Sequence, residues 1–584
     1  MRNPLMAVVM AGLLTACGGG DSQAPTSDTA IGTQAKGGKN DSASQCEATA
    51  AANAGYECAL ASNLNGDVTW SLDNAPEGMR IQEASGVLKW TPTTAQRGAV
   101  SVRAVATSGN RTQRIDFDID VSGGSADPDG LYVSPTGNDG NAGSVNAPFA
   151  TLQRAVDSVQ PGQTIYVRGG EYRNAEYGQS YANRSEQALV RIASSGTASA
   201  PITLRNFGNE YVRLVSDVNG IQFNNQTNEH WIFEGMELMG NAQQLSEQIA
   251  VDNWWNDDGI RPMQGSGIGG KTDHITIRNM IVRDFPGAGI RPRDSEYVTI
   301  EDNIVYNNAW WSTAGTHGIT VSSMKPTVSD NEQTIRVTGN MAFNNQSLVI
   351  SHVFSKGKVS LVLDEGNGIH LQNNIETFQR AALVENNVIF WNGKAGIGIN
   401  TMDKLTIRRN AFYQNARVVN RNGEASVQSS ALADVSGNLF QPRSTQQTYR
   451  DFQDAYIGVG TNYTLEGIAG DSGLPASFIR VAQVFVNPDS QNFRPADGIP
   501  NGYGVQSDVI SRMRDKIAEY SIVIAESTLP YEEATYLQSQ KERIFALWPA
   551  TWSNIVLEDK ATGHTWTYAQ RCHYPTWPAA ADCS

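Results

Sequence analysis

YVTIEDNIVYNN, residues 297–308, is the first of four segments that share one pattern. The others are TIRVTGNMAFNN (334–345), AALVENNVIFWN (381–392) and KLTIRRNAFYQN (404–415). Aligned, they give the columns Asn303, Asn340, Asn387 and Asn410; Tyr306, Phe343, Phe390 and Tyr413; and Asn308, Asn345, Asn392 and Asn415. Such a repeat predicts a solenoid, in which buried amides hydrogen-bond from coil to coil and rings stack on rings. These residues are therefore predicted to be structural.

A further column is the dipeptide Gly-Ile, which recurs at Gly267-Ile268, Gly289-Ile290, Gly318-Ile319, Gly368-Ile369 and Gly396-Ile397. Side chains alternate along a strand, so if each isoleucine faces the core, the second residue after it does too. Those positions hold Gly270, Pro292, Val321, Leu371 and Ile399. The intervening positions then point outward as two columns: Gly269, Arg291, Thr320, His370 and Gly398, beside Lys271, Arg293, Ser322, Gln372 and Asn400. A basic cluster is thus predicted on coils about 4.8 Å apart.

Residues 130–172, GLYVSPTGNDGNAGSVNAPFATLQRAVDSVQPGQTIYVRGGEY, contain a strand, a Gly/Asn-rich loop, a short amphipathic helix and another strand. This segment resembles the opening of secreted right-handed parallel β-helix proteins, in particular polysaccharide lyases of the pectate lyase superfamily. There the helix caps the open end of the stack, because an exposed first coil would leave unpaired backbone groups. The predicted fold class is all-β, a right-handed parallel β-helix preceded by a small Ig/cadherin-like β-sandwich.

The chain divides into five predicted parts. Residues 1–16 carry the apolar run PLMAVVMAGLL and read as a signal peptide. The phrase LTAC (14–17) resembles a bacterial lipobox, which implies a lipidated Cys17 and an outer-membrane anchor. Residues 17–45 have the composition of a flexible tether. Residues 46–122 form the sandwich, in which SGVLKWTPT (85–93) resembles Ig-like modules, residues 123–445 the β-helix, and residues 446–584 the C-terminal coils, a helix and a Trp-rich cap.

Cysteine spacing and net charge limit the partners of the chain. Cys46 with Cys58, and Cys572 with Cys583, form two close pairs that could each close a disulfide in an oxidising compartment. The formal charge of −15 excludes nucleic acid as the expected partner, because phosphate binding needs a basic surface. We expect a monomer that binds an acidic polysaccharide.

Long loops precede the strands that carry the basic cluster, so a cleft is predicted there. These loops contribute two tryptophan pairs, Trp254-Trp255 and Trp310-Trp311. Indole faces suit the C–H faces of sugars, and Gln372 and Asn400 offer hydrogen bonds to hydroxyl groups. The alternative is that one indole of each pair packs over the coil and only the other is exposed, or that neither touches a ligand.

The resemblance implies cleavage of a uronic-acid polysaccharide by β-elimination, as in lyases of pectate or alginate. The reaction needs a neutralised carboxylate and a base for the C5 proton. Arg291 and Arg293 could take the carboxylate, and Asp364 and Glu365 could hold Ca²⁺. The candidate bases are Lys271, Lys356, Lys358, His317 and His370. LDEGNGIHL (363–371) looks like the Asp-Asp-Gly-aromatic-Asp calcium segment of family nine pectate lyases, but it lacks the aromatic residue and the final aspartate.

Two other functions remain open from the sequence. A polygalacturonase-type glycosidase is suggested by NDDG (256–259) and THG (316–318), although its other phrases are absent. The other alternative function is that of a non-catalytic glycan-binding surface lipoprotein. Four tryptophans of the C-terminal segment, Trp548, Trp552, Trp566 and Trp577, are predicted to cover the open end of the last coils.

Overall fold

The computed structural model describes residues 46, 48–51, 55–92, 96, 98–122, 130–208, 210–224, 228–256, 261–263, 265–324, 332–355, 358–373, 378–418, 423–428, 433–452, 457–526, 533–559 and 562–573. The predicted signal peptide, tether and lipidated Cys17 lie outside these residues, as do Lys356, Trp577 and Cys583. The predicted disulfide between Cys572 and Cys583 therefore stays a prediction. In the part of the chain that is described, no helix is long and apolar enough to cross a membrane.

Seven strands form the N-terminal β-sandwich: β1 (Thr49–Ala51), β2 (Tyr56–Ala59), β3 (Thr69–Asn74), β4 (Arg80–Ile81), β5 (Val87–Trp90), β6 (Gly98–Ser108) and β7 (Arg111–Ser122). They form two sheets, of order β1-β7-β6-β3 and β2-β5-β4. One hydrophobic cluster fills the sandwich and includes Trp70 and Trp90. A disulfide joins Cys46 to Cys58, which confirms the first predicted pair.

The middle of the chain is built from short strands and two small helices. In chain order these are β8 (Leu131–Val133), α1 (Leu152–Ser158), β9 (Thr164–Val167), β10 (Gly170–Arg173), β11 (Ala188–Ile192), β12 (Ile202–Asn206), β13 (Val212–Val215), β14 (Asn219–Phe223), β15 (Asn228–Glu234), β16 (Glu237–Met239), α2 (Glu247–Asp252), β17 (Ile268–Arg278), β18 (Ile281–Arg283), β19 (Ile290–Arg293), β20 (Val298–Glu301), β21 (Ile304–Tyr306), β22 (Ile319–Ser322), β23 (Gln333–Thr338), β24 (Met341–Phe343), β25 (Ser351–Ser355), β26 (Lys358–Val362), β27 (Ile369–Gln372), β28 (Phe378–Glu385), β29 (Val388–Phe390), β30 (Ile397–Asn400), β31 (Met402–Arg408), β32 (Ala411–Tyr413), β33 (Ala425–Gln428), β34 (Ala433–Ser436), β35 (Leu439–Gln441), β36 (Tyr449–Phe452), β37 (Ile457–Val459), β38 (Asn462–Leu465) and β39 (Phe478–Val481).

Almost all of these strands stack into three parallel ladders, so the architecture is the predicted parallel β-helix. Sheet 1 has the order β10-β13-β16-β18-β21-β24-β29-β32-β35-β38-β39. Sheet 2 runs from β11 through β14, β17, β19, β22, β27, β30 and β33 to β36. Sheet 3 runs from β8 through β9, β12, β15, β17, β20, β23, β28, β31 and β34 to β37. The long strand β17 bends from sheet 2 into sheet 3.

The predicted asparagine ladders are present at the corners of the coil. Asn387, with no exposed surface, donates its Nδ2–H to Asn410 Oδ1 at 2.9 Å and accepts the Asn340 Nδ2–H at 3.0 Å. The first ladder continues beyond the predicted column to Asn438 and Asn462. Buried amides of this kind satisfy the backbone groups that a sharp corner leaves unpaired.

The aromatic column is also confirmed, and it lies on the outer face of sheet 1. Tyr306, Phe343 and Phe390 stack in parallel with centroids 4.7 and 4.8 Å apart. A C-terminal helix, α3 (Ser507–Glu519), covers these rings with Val509 and Met513. The middle strands of sheet 1, β21, β24, β29 and β32, are buried on both faces.

Glycine is required in the Gly-Ile column because adjacent coils approach closely there. A Cβ atom on Gly318 would lie 2.6 Å from Asn345 Nδ2 and 2.7 Å from the Gly368 carbonyl oxygen. The isoleucines that follow are buried, and Ile268, Ile290 and Ile319 pair in register along sheet 2. Helix α1 buries Leu152, Ala155 and Val156 against the first strands of the β-helix, as expected of a cap.

The remaining C-terminal elements are β40 (Phe485–Asn487), β41 (Asn492–Pro495), α4 (Glu533–Ala546), β42 (Val556–Asp559) and β43 (Thr565–Thr567). Strand β42 pairs with β26, so this segment lies against the side of the stack. Trp548 packs there on Trp255 of an early coil, with centroids 5.4 Å apart, and Trp552 and Trp566 join the same cluster. The prediction that these tryptophans cover the open end of the last coils is wrong.

Candidate functional site

The pairing register of sheet 2 creates the two outward columns that the sequence predicts. Gly269 pairs with Arg291, and Lys271 pairs with Arg293 on the next coil. Arg293 is followed by Ser322, and the columns continue through His370 and Gln372. The register therefore places Lys271, Arg291 and Arg293 on neighbouring coils of one face.

A cleft of about 450 Å³ lies on this face, next to the two arginines. Its floor consists of sheet 2, and its walls are the loops that precede β17 and β22. Its lining includes Gln187, Asn219, Gln222, Arg261, Met263, Gly269, Arg291, Arg293, Ser312, Thr313 and Thr316. The predicted loop walls are thus present, and the lining is polar and cationic.

Arg291 is a largely buried cation in the lining of the cleft. Its Nε has no hydrogen-bond partner in the described part of the chain. Burial first, and then the neighbouring Arg293 cation, lower the pKa of the Arg291 guanidinium, while Glu365 acts in the opposite direction. Among the described residues no carboxylate pairs with Arg291 or with the exposed Arg293. A buried cation without a counter-ion favours an anionic ligand.

Two other lining side chains carry buried polar atoms that form no hydrogen bond with any residue the structure describes. These atoms are Gln222 Oε1 and Thr316 Oγ1. A buried polar atom that forms no hydrogen bond costs about 1–3 kcal/mol, so it is expected to meet a ligand or water. The cleft therefore offers a hydrogen-bond acceptor and a hydroxyl group beside the two guanidinium groups.

Lys271 follows the lining residue Gly270 on β17 but does not itself belong to the lining of the cleft. Its Nζ lies 3.0 Å from Asp294 Oδ2, and its side chain is 40% exposed. The amine is thus accessible and is oriented by a carboxylate on the next coil. Lys358 is on β26 and pairs with Glu558 of the C-terminal segment at 3.4 Å. It does not line the cleft either.

The two histidines are buried and serve the fold, which corrects their predicted role as bases. His317 Nδ1 accepts the backbone N–H groups of Gly366 and Asn367, which leaves the proton on Nε2, 3.3 Å from Glu365 Oε2. Burial, and then the neighbouring His370, hold the pKa of His317 well below its usual range. Its contact with Glu365 is therefore a hydrogen bond of a neutral imidazole. Both ring nitrogens are engaged.

His370 packs on His317, with ring centroids 4.2 Å apart. Its ring nitrogens contact Asn367 at 3.2 Å and Gln372 at 3.0 Å. Burial lowers its pKa to about 4, so it is uncharged at neutral pH. Gln372 thus supports a histidine, and the Asn400 Oδ1 accepts the hydroxyl of its neighbour Thr401. Gln372 and Asn400 do not line the cleft, so their predicted role in substrate binding is not supported.

All four predicted sugar platforms are buried, so the prediction of stacking tryptophans is wrong. Trp254, Trp255, Trp310 and Trp311 are at most 7% exposed. Each indole N–H donates to a backbone carbonyl, for example Trp254 to Ile350 at 2.8 Å and Trp311 to Ala242 at 2.9 Å. They form a core beneath the C-terminal helix α4. Their faces are therefore covered by protein.

The predicted calcium ligands do not gather into a calcium site. Asp364 lies 3.3 Å from Lys394 Nζ, and Glu365 faces His317. Ca²⁺ takes six to eight oxygen ligands, whereas neither carboxylate joins any described group of three potential metal ligands. The described residues thus do not fit the predicted calcium ion.

Several residues of the cleft were not predicted from the sequence. Gln222 could have been found, because Gly220-Ile221 is an earlier member of the Gly-Ile column and Gln222 takes its outward position. Arg261, Ser312 and Thr316 belong to loops without a repeat. Asp294 follows the outward Arg293 and orients Lys271.

Residues 131–347 match the family model described as "Pel9A-like, right handed beta helix region", and residues 40–122 match a putative Ig domain. The chain is similar to pectate lyase PEL9 of Emericella nidulans, with 25% identity over 412 residues, covering 65% of this chain and 92% of that protein. The uncharacterized protein YwoF of Bacillus subtilis is 37% identical over 84 residues, covering 14% of this chain and 15% of YwoF.

A crystal structure of pectate lyase Pel9A is similar with a TM-score of 0.41 and 18% identity, covering 63% of this chain and 90% of that one. The family-model match also assigns the hand of the coil. Residues 131–347 therefore have the fold of a pectate lyase-like, right-handed β-helix, and an Ig-like domain precedes them.

Proposed function

We propose that the protein is a polysaccharide lyase that cleaves a uronic-acid polymer of the pectate or alginate type by β-elimination in the sheet 2 cleft. The observation that carries the proposal is the pair Arg291 and Arg293, two adjacent cations without a carboxylate partner among the described residues. A uronate carboxylate supplies the missing charge. The similarity to a pectate lyase supports the same substrate class.

The arginines would withdraw charge from the C6 carboxylate, which makes the C5 proton more acidic. Lys271 is the proposed base for that proton, because it pairs in register with Arg293. The electron pair of the C5–H bond then forms the C4–C5 double bond, and the C4–O bond breaks. Ser312 and Thr313 place hydroxyl groups in the wall that can protonate the departing oxygen.

The residues of the cleft do not favour either alternative function, the polygalacturonase-type glycosidase or the non-catalytic glycan-binding protein. A polygalacturonase-type role for THG (316–318) needs an accessible histidine, whereas His317 is 2% exposed. The described lining holds no pair of carboxylates for acid and base catalysis of hydrolysis. A binding protein would use the same arginines without the base, so the experiment must separate binding from turnover.

The purified chain is to be incubated with pectate, alginate and glycosaminoglycans, with and without EDTA. The expected result is ultraviolet absorbance from an unsaturated uronate product, and this product should persist in EDTA because the predicted calcium ligands do not gather. Binding without product would establish a glycan-binding protein. New reducing ends without the absorbance would establish a hydrolase.

We also infer that the chain is secreted and anchored to the outer membrane by lipid on Cys17, and that it acts as a monomer. The phrase LTAC and the polar segment after it support this location. Labelled fatty acid should enter the wild-type chain in bacterial cells but not the Cys17→Ser variant. Equal labelling of both would refute the anchor. Light scattering of the soluble part tests the monomer.

A further inference from the structure

A second cluster of chemically active side chains lies at a corner of the β-helix, on the bend between sheets 2 and 3. It consists of Glu229 and His230 on β15 and His274 on β17, and is called the corner site. One ligand atom from each residue can be chosen so that all three lie within 4.8 Å of one another. The proposed lyase chemistry uses none of them.

The backbone builds this arrangement. Glu229 pairs with Asp273 and Trp231 with Ile275, so the two histidines lie opposite each other on adjacent coils. Both adopt left-handed backbone angles, with φ of 58° and 48°, at the corner. Non-glycine residues rarely adopt this conformation. The bend places the imidazole rings with their centroids 4.4 Å apart and their planes tilted by 38°.

The side chains are positioned but still accessible. Tyr297 stacks on His274 with centroids 4.3 Å apart, which restrains that ring. Glu229 Oε2 lies 3.9 Å from His230 Nε2, and its side chain is 45% exposed, while His230 is 15% exposed. His274 is 37% exposed, and its Nδ1 lies 3.5 Å from Asp273 Oδ1 but forms no hydrogen bond to any described residue. A small cation can therefore reach the group.

We propose that the corner site binds a divalent transition-metal ion of the Zn²⁺ class. Two imidazoles and one carboxylate are the donors that Zn²⁺ prefers, whereas Ca²⁺ requires more oxygen ligands. Metal–ligand bonds of about 2.1 Å would draw the donor atoms to roughly 3.4 Å from one another in a tetrahedral site, with water as the fourth ligand. The group is the only such set among the described residues.

The ion would join two successive coils, because its ligands are 44 residues apart and meet only when the coils stack. Binding to the native state alone stabilises that state. Strand β17 carries both His274 and the lining residue Gly270, so the joined coil is one that lines the cleft.

The untagged full-length chain, stripped with a chelator, is to be titrated with ZnCl₂ by calorimetry. We expect one Zn²⁺ per chain and a higher melting temperature that EDTA reverses, with no such shift in Ca²⁺. Glu229→Gln should weaken binding about 10-fold, and the double variant His230→Gln/His274→Gln at least about 100-fold. The matched control is His564→Gln, which changes an exposed histidine in edge-on contact with Trp566 and should bind as wild type does.

The proposal is overturned if the wild-type chain binds no Zn²⁺ at about 0.1 mM. It is also overturned if Glu229→Gln and the double variant bind as tightly as wild type. Circular dichroism checks the fold of each variant. Should the double variant fail to fold, the wild-type titration and the single Glu229→Gln change still decide the matter, because that side chain is partly exposed.

Discussion

Glu424 ends the second asparagine ladder and gives the fold a defined pH dependence. It has no exposed surface, and its carboxylate accepts the backbone N–H of Asn415 at 3.0 Å and the side-chain amide of the same residue. Burial raises the pKa of Glu424 from 4.5 to about 8. The carboxyl group is therefore protonated in the folded chain at pH values where the unfolded chain has lost that proton.

The sign of the effect follows from proton binding. Below pH 4.5 the group is protonated in both states, and its favourable contribution is complete. Between pH 4.5 and about 8 only the unfolded chain releases the proton, so the free energy of unfolding falls with rising pH. At 1.36 kcal/mol for each pH unit, the total loss is about 4–5 kcal/mol. Above pH 8 no further loss is expected from this residue.

Glu424→Gln keeps an amide oxygen for the ladder but cannot ionise. We expect the variant and wild type to have similar urea midpoints near pH 4, and the variant to be more stable by about 4–5 kcal/mol near pH 9. The matched control is Glu466→Gln at an exposed glutamate, which should follow wild type at every pH. If the midpoints of wild type and Glu424→Gln differ by the same amount at all pH values, the buried, titrating Glu424 is refuted.

Three further substitutions test the site and the fold. Arg291→Gln should lower kcat/KM on a uronate polymer about 10- to 100-fold, because it removes a charged hydrogen bond to the substrate. Arg336→Gln, at an exposed position on sheet 3, should leave kcat/KM unchanged. If Arg291→Gln turned over the polymer as fast as wild type, this cleft would not be the active site. Trp254→Ala should lower the free energy of unfolding in urea by about 3–5 kcal/mol and leave the affinity for oligosaccharides unchanged. If a folded variant lost that affinity, Trp254 would contact the sugar after all. Asn387→Ala should lower the free energy of unfolding by about 2–5 kcal/mol, because two donors of Asn340 lose their acceptor. Asn400→Ala, at a partly exposed position, should change the urea midpoint little. Equal effects of the two substitutions would contradict a stabilising asparagine ladder.

The coil could be predicted because every turn repeats one local geometry. A residue type that suits a position on one coil suits the same position on the next, so Asn387 and Ile369 appear as columns in the sequence. The outward columns follow from strand alternation alone, and the register of sheet 2 places Arg291 and Arg293 as predicted. The cationic face of the cleft was therefore predictable.

The tryptophan and histidine roles were not predictable, because distant segments determine their exposure. Trp255 donates its indole N–H to Ile544, which lies 289 residues later. His317 is sealed by the backbone of Gly366 and Asn367 from the next coil. From the sequence, a side chain in an inserted loop is predicted to be exposed, because the distant segment that covers it cannot be identified there.

The sequence by itself determined the stacked coil, its ladders, the Ig-like domain and the basic column on sheet 2, because these depend on periodic, short-range geometry. Only the tertiary structure decided which inserted side chains face solvent. Burial depends on contacts between segments hundreds of residues apart. Those contacts buried the indoles and imidazoles, whereas the two guanidinium groups of the cleft have no counter-ion among the described residues. The same convergence of separate coils formed the corner site of Glu229, His230 and His274.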